Sequence, residues 1–114
     1  MRYLKKYNES KYLSEDGKKF NCSDNNLTKL PPIPDTVERL YCNNNNLKKL
    51  PRLPERLKHI YCSYNNLKEL PELPKGLIKE LLCHINNLKE IPELPKGLRE
   101  LNCDNNKLKE LPEL

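Results

Sequence analysis

The chain has no tryptophan, one phenylalanine and only three glycines in 114 residues. So few large aromatics leave a thin core for a compact globule of this length, with 36% apolar against 32% charged residues. Nowhere does an apolar run approach the roughly 20 residues that cross a bilayer. The opening MRYLKKYNESKYLSED has no apolar h-region of a secretory signal. The reading from sequence is therefore a protein of a reducing, cytoplasmic compartment with no membrane segment.

Catalytic and cofactor signals are equally scarce. Gly17, Gly76 and Gly97 stand alone, so no glycine-rich phosphate loop exists. The two histidines, His59 and His84, have no Ser, Asp or Glu at a matching position to make an acid–base or nucleophilic constellation. Five cysteines are an odd number, and none forms the C-x₂₋₄-C pair typical of zinc sites. No enzyme activity, cofactor or metal is expected.

What is plentiful is proline, at ten residues, nine of which recur at fixed places. They mark the unit LxxLxCxxNNLKxLPxLP, seen most cleanly at 57–74. Cys22, Cys42, Cys62, Cys83 and Cys103 set its period at 20, 20, 21 and 20 residues. A fixed short period signals a solenoid, in which each repeat buries its inner face only against its neighbours. That also explains how so thin an apolar content suffices, and why the cysteines read as small buried thiols filling a narrow core.

The local chemistry defines each turn. LxxLxC alternates at its end like a strand with one buried face. One strand per repeat gives a parallel sheet. The column Asn25, Asn45, Asn65, Asn86, Asn106 is placed to cap backbone groups where the chain leaves each strand and to bridge to the next turn. LPxLP is too rich in proline for a helix, because proline lacks the donor and clashes with the preceding turn. It is expected to run as extended polyproline II on the convex side. The single extra residue lies within 77–79, and Ile78 as the start of the fourth repeat avoids a bulge in its strand.

These five units resemble the leucine-rich repeat family, with cysteine in the third apolar slot of LxxLxLxxNxL. The short period and LPxLP tail are similar to repeats of secreted bacterial effectors and giant-virus proteins. The resemblance implies a leucine-rich repeat solenoid of about five repeats, with a curved parallel β-sheet on the concave face and extended segments on the convex face. It also implies action in a host cytoplasm. Effector relatives often carry a C-terminal ubiquitin-ligase domain, and nothing in these 114 residues matches one.

Residues 1–16 fall outside the repeat and are assigned as an N-terminal cap, with Tyr3, Leu4, Tyr7, Tyr12 and Leu13 available to cover the first sheet edge. Residues 17–114 form the repeat domain, its last unit incomplete. The chain stops at Leu114 without the polar cap that terminal repeats normally need. Either weak end-to-end association or a longer natural chain would follow.

Function must lie in the variable letters. Two columns face out of the predicted sheet: Asn21, Tyr41, Tyr61, Leu82, Asn102 and Asp24, Asn44, Tyr64, Ile85, Asn105. Both are polar at the ends and apolar or aromatic in the middle. Tyr41, Tyr61, Tyr64, Leu82 and Ile85, with His59 and His84 beside them, form the candidate surface for a protein partner. Strand propensity alone favours Tyr and Ile, but it does not concentrate them in the central repeats. An apolar patch rimmed by polar groups marks interaction sites, and Tyr is frequent at hot spots. A further column, Lys19, Arg39, His59, Glu80, Glu100, passes from basic to acidic. The net charge of +5 also allows a nucleic-acid or phosphate surface through Lys18, Lys19, Arg39, Lys58 and Lys79, although the mixed signs along the chain count against it.

Overall fold

The computed structural model describes residues 11–76 and 78–110. Five strands of three residues each follow one another: β1 Lys19–Asn21, β2 Arg39–Tyr41, β3 His59–Tyr61, β4 Glu80–Leu82 and β5 Glu100–Asn102. They pair in parallel in sequence order. The chain is a leucine-rich repeat solenoid, with no helix among the described residues.

Alternation within each strand separates two faces. Phe20, Leu40, Ile60 and Leu81 point inward and are buried, with residues on both sides turned outward. Behind them lie Cys22, Cys42, Cys62 and Cys83, then Leu47, Leu67 and Leu88, all buried in one continuous core. Each fully buried leucine contributes about 1.5–3 kcal/mol. Leu50, Leu53, Leu70 and Leu73 close the core from the proline-bearing side. Their LPxLP segments carry neither helix nor strand.

The fourth repeat absorbs its extra residue outside the sheet. Ile78 takes the buried slot that Val37 and Leu57 hold in earlier repeats. Strands β3 and β4 pair in step as His59↔Glu80, Ile60↔Leu81 and Tyr61↔Leu82, without a bulge. Val37, Leu57 and Leu98 each donate an N–H to a proline carbonyl three residues back, at 3.2–3.3 Å. The corresponding turn after Pro74 contains the added residue, and Leu77 is outside the described set.

The asparagine column is the polar spine. Asn65 Nδ2 donates to the carbonyls of Cys42, Cys62 and Ser63 at 3.0, 3.2 and 3.2 Å, while its Oδ1 accepts from Leu47 N–H at 3.1 Å. Asn45, Asn86 and Asn106 repeat the pattern. Each reaches back to the preceding turn, whereas the sequence suggested a bridge to the next. The reason is geometric. The side chain leaves the strand exit toward carbonyls already laid down by the earlier coil. Among the described residues the Asn25 side chain bonds only the Ser23 carbonyl, at 2.8 Å. Among the described residues no buried side-chain nitrogen or oxygen is left without a partner.

At the first edge, Leu13 forms an antiparallel bridge with Phe20, and Tyr12 packs its ring 5.7 Å from that of Phe20. Asn21 N–H donates to Tyr12 O at 2.8 Å, and Ser14 N–H to Lys19 O at 2.9 Å. Residues 12–14 therefore occupy the outer side of β1. Gly17 turns the chain into β1 at φ 75, a left-handed conformation that suits glycine. Tyr3, Leu4 and Tyr7 lie outside the described residues, as do Leu111 and Leu114. At the other end, Leu101, Cys103 and Leu108 are only half-buried.

Candidate functional site

Strand register turns sequence columns into rows of side chains. Lys19, Arg39, His59, Glu80 and Glu100 are consecutive cross-strand partners, and so are Asn21, Tyr41, Tyr61, Leu82 and Asn102. Both rows stand on the face opposite the buried Phe20, Leu40, Ile60 and Leu81, which is the concave face.

The centre of this face is tied together. Tyr41 and Tyr61 stack with ring centroids 4.8 Å apart and planes 19° from parallel. Offset aromatic pairs of this kind contribute about 0.5–1.5 kcal/mol beyond burial. Tyr61 donates its hydroxyl to Glu80 Oε1 at 2.7 Å. His59 Nδ1 meets the same oxygen. Lys19 Nζ lies 5.8 Å from the Tyr41 ring centroid. One contact chain thus crosses the sheet from β1 to β4. It holds the Glu80 carboxyl below its ordinary range, first through the Tyr61 hydroxyl and then through His59. Desolvation, followed by the Glu80 carboxylate, pushes the Tyr61 phenol well up.

A second cluster lies where the chain leaves the strands. Ser63 Oγ and His84 Nδ1 are 2.8 Å apart, and the Tyr64 ring meets His84 edge-on at 5.7 Å and 76°. The backbone here is unusual. Asp24, Asn44, Tyr64, Ile85 and Asn105 all have φ between 55 and 58. Each of the first four donates its N–H to a carbonyl of the following repeat, as in Tyr64 to His84 O at 3.1 Å and Ile85 to Asp104 O at 2.9 Å. The conformation accompanies that ladder at four of the five positions. Asn and Asp tolerate it, whereas a bulky or β-branched residue there is an outlier.

The structure thus sorts the seven sequence-predicted residues into two groups. Tyr41, His59, Tyr61 and Leu82 are on the strand face, while Tyr64, His84 and Ile85 form its exit rim. Tyr64 is 50% exposed, the only exposed large apolar side chain among the described residues. Tyr41, Tyr61, Leu82 and Ile85 are half-buried. Sequence reasoning missed Glu80 as the junction of Tyr61 and His59. Its place beside His59 in the charged column was the available signal.

Other chemistry is muted. The five cysteines are unpaired, four of them buried. Desolvation pushes the thiols up, to about 11 for Cys22 and about 12 for Cys83, which keeps them protonated and poorly reactive. Among the described residues no group of three or more His, Cys, Asp or Glu is placed to hold a metal ion. The basic residues of the alternative nucleic-acid reading are interrupted by acids. Lys58 pairs with Glu38 at 3.5 Å, and Glu15, Asp16 and Glu38 line the same depression as Lys18, Lys19 and Arg39. No helix among the described residues is long and apolar enough to cross a membrane.

Comparison with known proteins agrees with the geometry. The Leucine Rich Repeat family profile matches residues 56–77. No curated protein sequence matches the chain. Among solved structures, a Shigella effector leucine-rich repeat domain is similar at 36% identity and a TM-score of 0.82, over 85% of this chain and 44% of that one. YopM of Yersinia pestis, described as a leucine-rich effector protein, gives 32% and 0.67 over 86% of this chain and 34% of its own. YopM of Yersinia enterocolitica gives 31% and 0.70 over the whole of this chain and 30% of its own. This chain spans less than half the length of each.

Proposed function

We propose that this leucine-rich repeat solenoid is a non-catalytic protein-interaction module that engages a partner protein through its concave face. Tyr41, His59, Tyr61, Tyr64, Leu82, His84 and Ile85 are the contact set. The observation that carries the reading is the left-handed backbone at Tyr64 and Ile85. Three of five equivalent positions hold Asp or Asn, for which this conformation is inexpensive. The two central ones hold an aromatic and a β-branched residue, each at a cost of order 1–2 kcal/mol. Folding recovers part of that cost through the Tyr64–His84 contact and the half-burial of Ile85, and a partner that covers both would recover more.

The effector domains it resembles support an interaction role, and five unpaired thiols suit a reducing cytoplasm, that of a host cell in the case of a delivered protein. Capture of partners by wild type and by a Tyr61→Ala/Tyr64→Ala double variant tests the assignment. The variant is expected to stay folded, with a lowered but still cooperative thermal transition, and to lose the partner. Retained capture would remove these residues from the interface.

End-to-end self-association is a second reading. It is favoured by Leu101 and Leu108, which are only half-buried in the last described repeat. Light scattering against concentration, with and without Leu101→Glu, decides it: a rise in apparent mass that the variant abolishes supports it.

A further inference from the structure

We propose that the concave face takes an extended segment of its partner, about seven residues long, acidic where it crosses β1 and β2, basic where it crosses β4 and β5, and aromatic or aliphatic between. This rests on the reading of the concave face as the interface and specifies the chemistry it accepts.

The row Lys19, Arg39, His59, Glu80, Glu100 is segregated by sign. Lys19 is the cross-strand partner of Arg39, and Glu80 of Glu100. Like charges side by side repel, and alternating Lys and Glu on the same strands would have been self-neutralising. The sheet holds two like-sign pairs, cations at one end and carboxylates at the other. Internal ion pairs do little to relieve them. Among the described residues neither Arg39 nor Glu100 has an ion-pair partner, and Glu80 has only His59. Lys19 leans on the Tyr41 ring rather than on a carboxylate.

Neighbouring charges on the rims run partly against this row. Lys18, Glu38, Lys58, Lys79 and Arg99 precede the strands on the entry rim, where Lys58 and Glu38 pair with each other. Lys79 and Arg99 stand next to Glu80 and Glu100 in the chain but pair with neither. On the exit rim, Asp24 lies at the basic end and Asp104 at the acidic end. Glu15, Asp16 and Glu38 also share a depression with Lys19 and Arg39, so the segregation belongs to the strand row itself, which a ligand lying along the sheet touches directly.

Dimensions fix the length of the occupant. Five parallel strands about 4.8 Å apart place β1 and β5 about 19 Å from each other, which an extended chain at about 3.3 Å per residue covers in six steps. Between the two ends the segment meets Tyr41, Tyr61 and Leu82, which favour apolar side chains. Opposed charge at both ends orients it and rejects a uniformly charged ligand.

The test uses two heptapeptides of identical composition. One has two aspartates at one end, two arginines at the other, and tyrosine and leucine between. Its isomer alternates the charges. Both have the same net charge, so bulk attraction cancels. Wild type is expected to bind the segregated peptide about tenfold more tightly at low salt, with the preference shrinking as salt screens it. Glu100→Lys is expected to erase the preference while the protein stays folded, its thermal transition unchanged or raised by relief of the Glu80–Glu100 repulsion. Equal affinities, an unchanged preference in Glu100→Lys, or no measurable binding of either peptide each overturns the inference. Equal affinities that both vanish in Tyr61→Ala/Tyr64→Ala would overturn the charge order alone and leave the concave interface standing.

Discussion

Tyr61 reaches across the ladder between β3 and β4 to donate its hydroxyl to Glu80 Oε1 at 2.7 Å. That bond joins the aromatic stack to the acidic end of the concave face. It also depresses the Glu80 pKa from 4.5, so the stability it adds is fully present above the ordinary carboxylate value and lost as pH falls through the lower folded one. Tyr61→Phe should therefore melt below wild type at pH 7, and the gap should narrow as the pH falls below 4.5. Melting curves across that range check it, and a gap independent of pH would detach the hydroxyl from Glu80.

Backbone strain at the rim gives a prediction of opposite sign to ordinary mutagenesis. Tyr64→Asn should stabilise the protein by about 1 kcal/mol, because Asn tolerates the left-handed conformation and half of the Tyr64 surface is already exposed. Asn44→Tyr, the reverse change one repeat earlier, should destabilise by a similar amount. Urea unfolding of both variants measures this, and a destabilised Tyr64→Asn would mean that the Tyr64 contact with His84 outweighs the strain.

The asparagine spine should be unequal along the chain. Asn65→Ala leaves the buried Leu47 N–H without its acceptor and takes one of two donors from each of the Cys42, Cys62 and Ser63 carbonyls, which keep Asn45, Asn86 and the Asn44 N–H. At about 1–3 kcal/mol for the buried amide left unpaired, with the three lost carbonyl bonds added, it should lose about 3 kcal/mol. Asn25→Ala removes one exposed bond and should cost under about 1 kcal/mol. Denaturation midpoints compare them, and equal losses would contradict the backward-bridging geometry.

Thiol chemistry follows burial. Cys22, Cys42, Cys62 and Cys83 are buried and Cys103 is half-buried. Timed alkylation of the native protein, read by mass spectrometry, should modify Cys103 first. Early modification of Cys62 would show that the central core opens readily.

Much of the fold was legible because its determinants are local and repeated. Leu, Cys, Asn and Pro recur at fixed offsets, and each letter has one job. Ile78 could be placed because only it keeps IKELLCHIN in frame. The direction of the asparagine bridges was not legible, since it depends on which neighbouring coil the side chain meets on leaving the strand. Nor was the Tyr61–Glu80 bond, a diagonal contact between positions 19 residues apart. The left-handed rim was half visible: Asp24, Asn44 and Asn105 share a column and all tolerate positive φ. Tyr64 and Ile85 were read there only as apolar surface, although their company already hinted at strain.

The central claim is that the concave side meets the partner. A photo-crosslinking amino acid placed at position 64, on the exit rim, and separately at position 72, in the exposed part of an LPxLP segment, tests it most directly. Concave binding predicts a partner adduct from position 64 and none from position 72. An adduct from position 72 alone would contradict it.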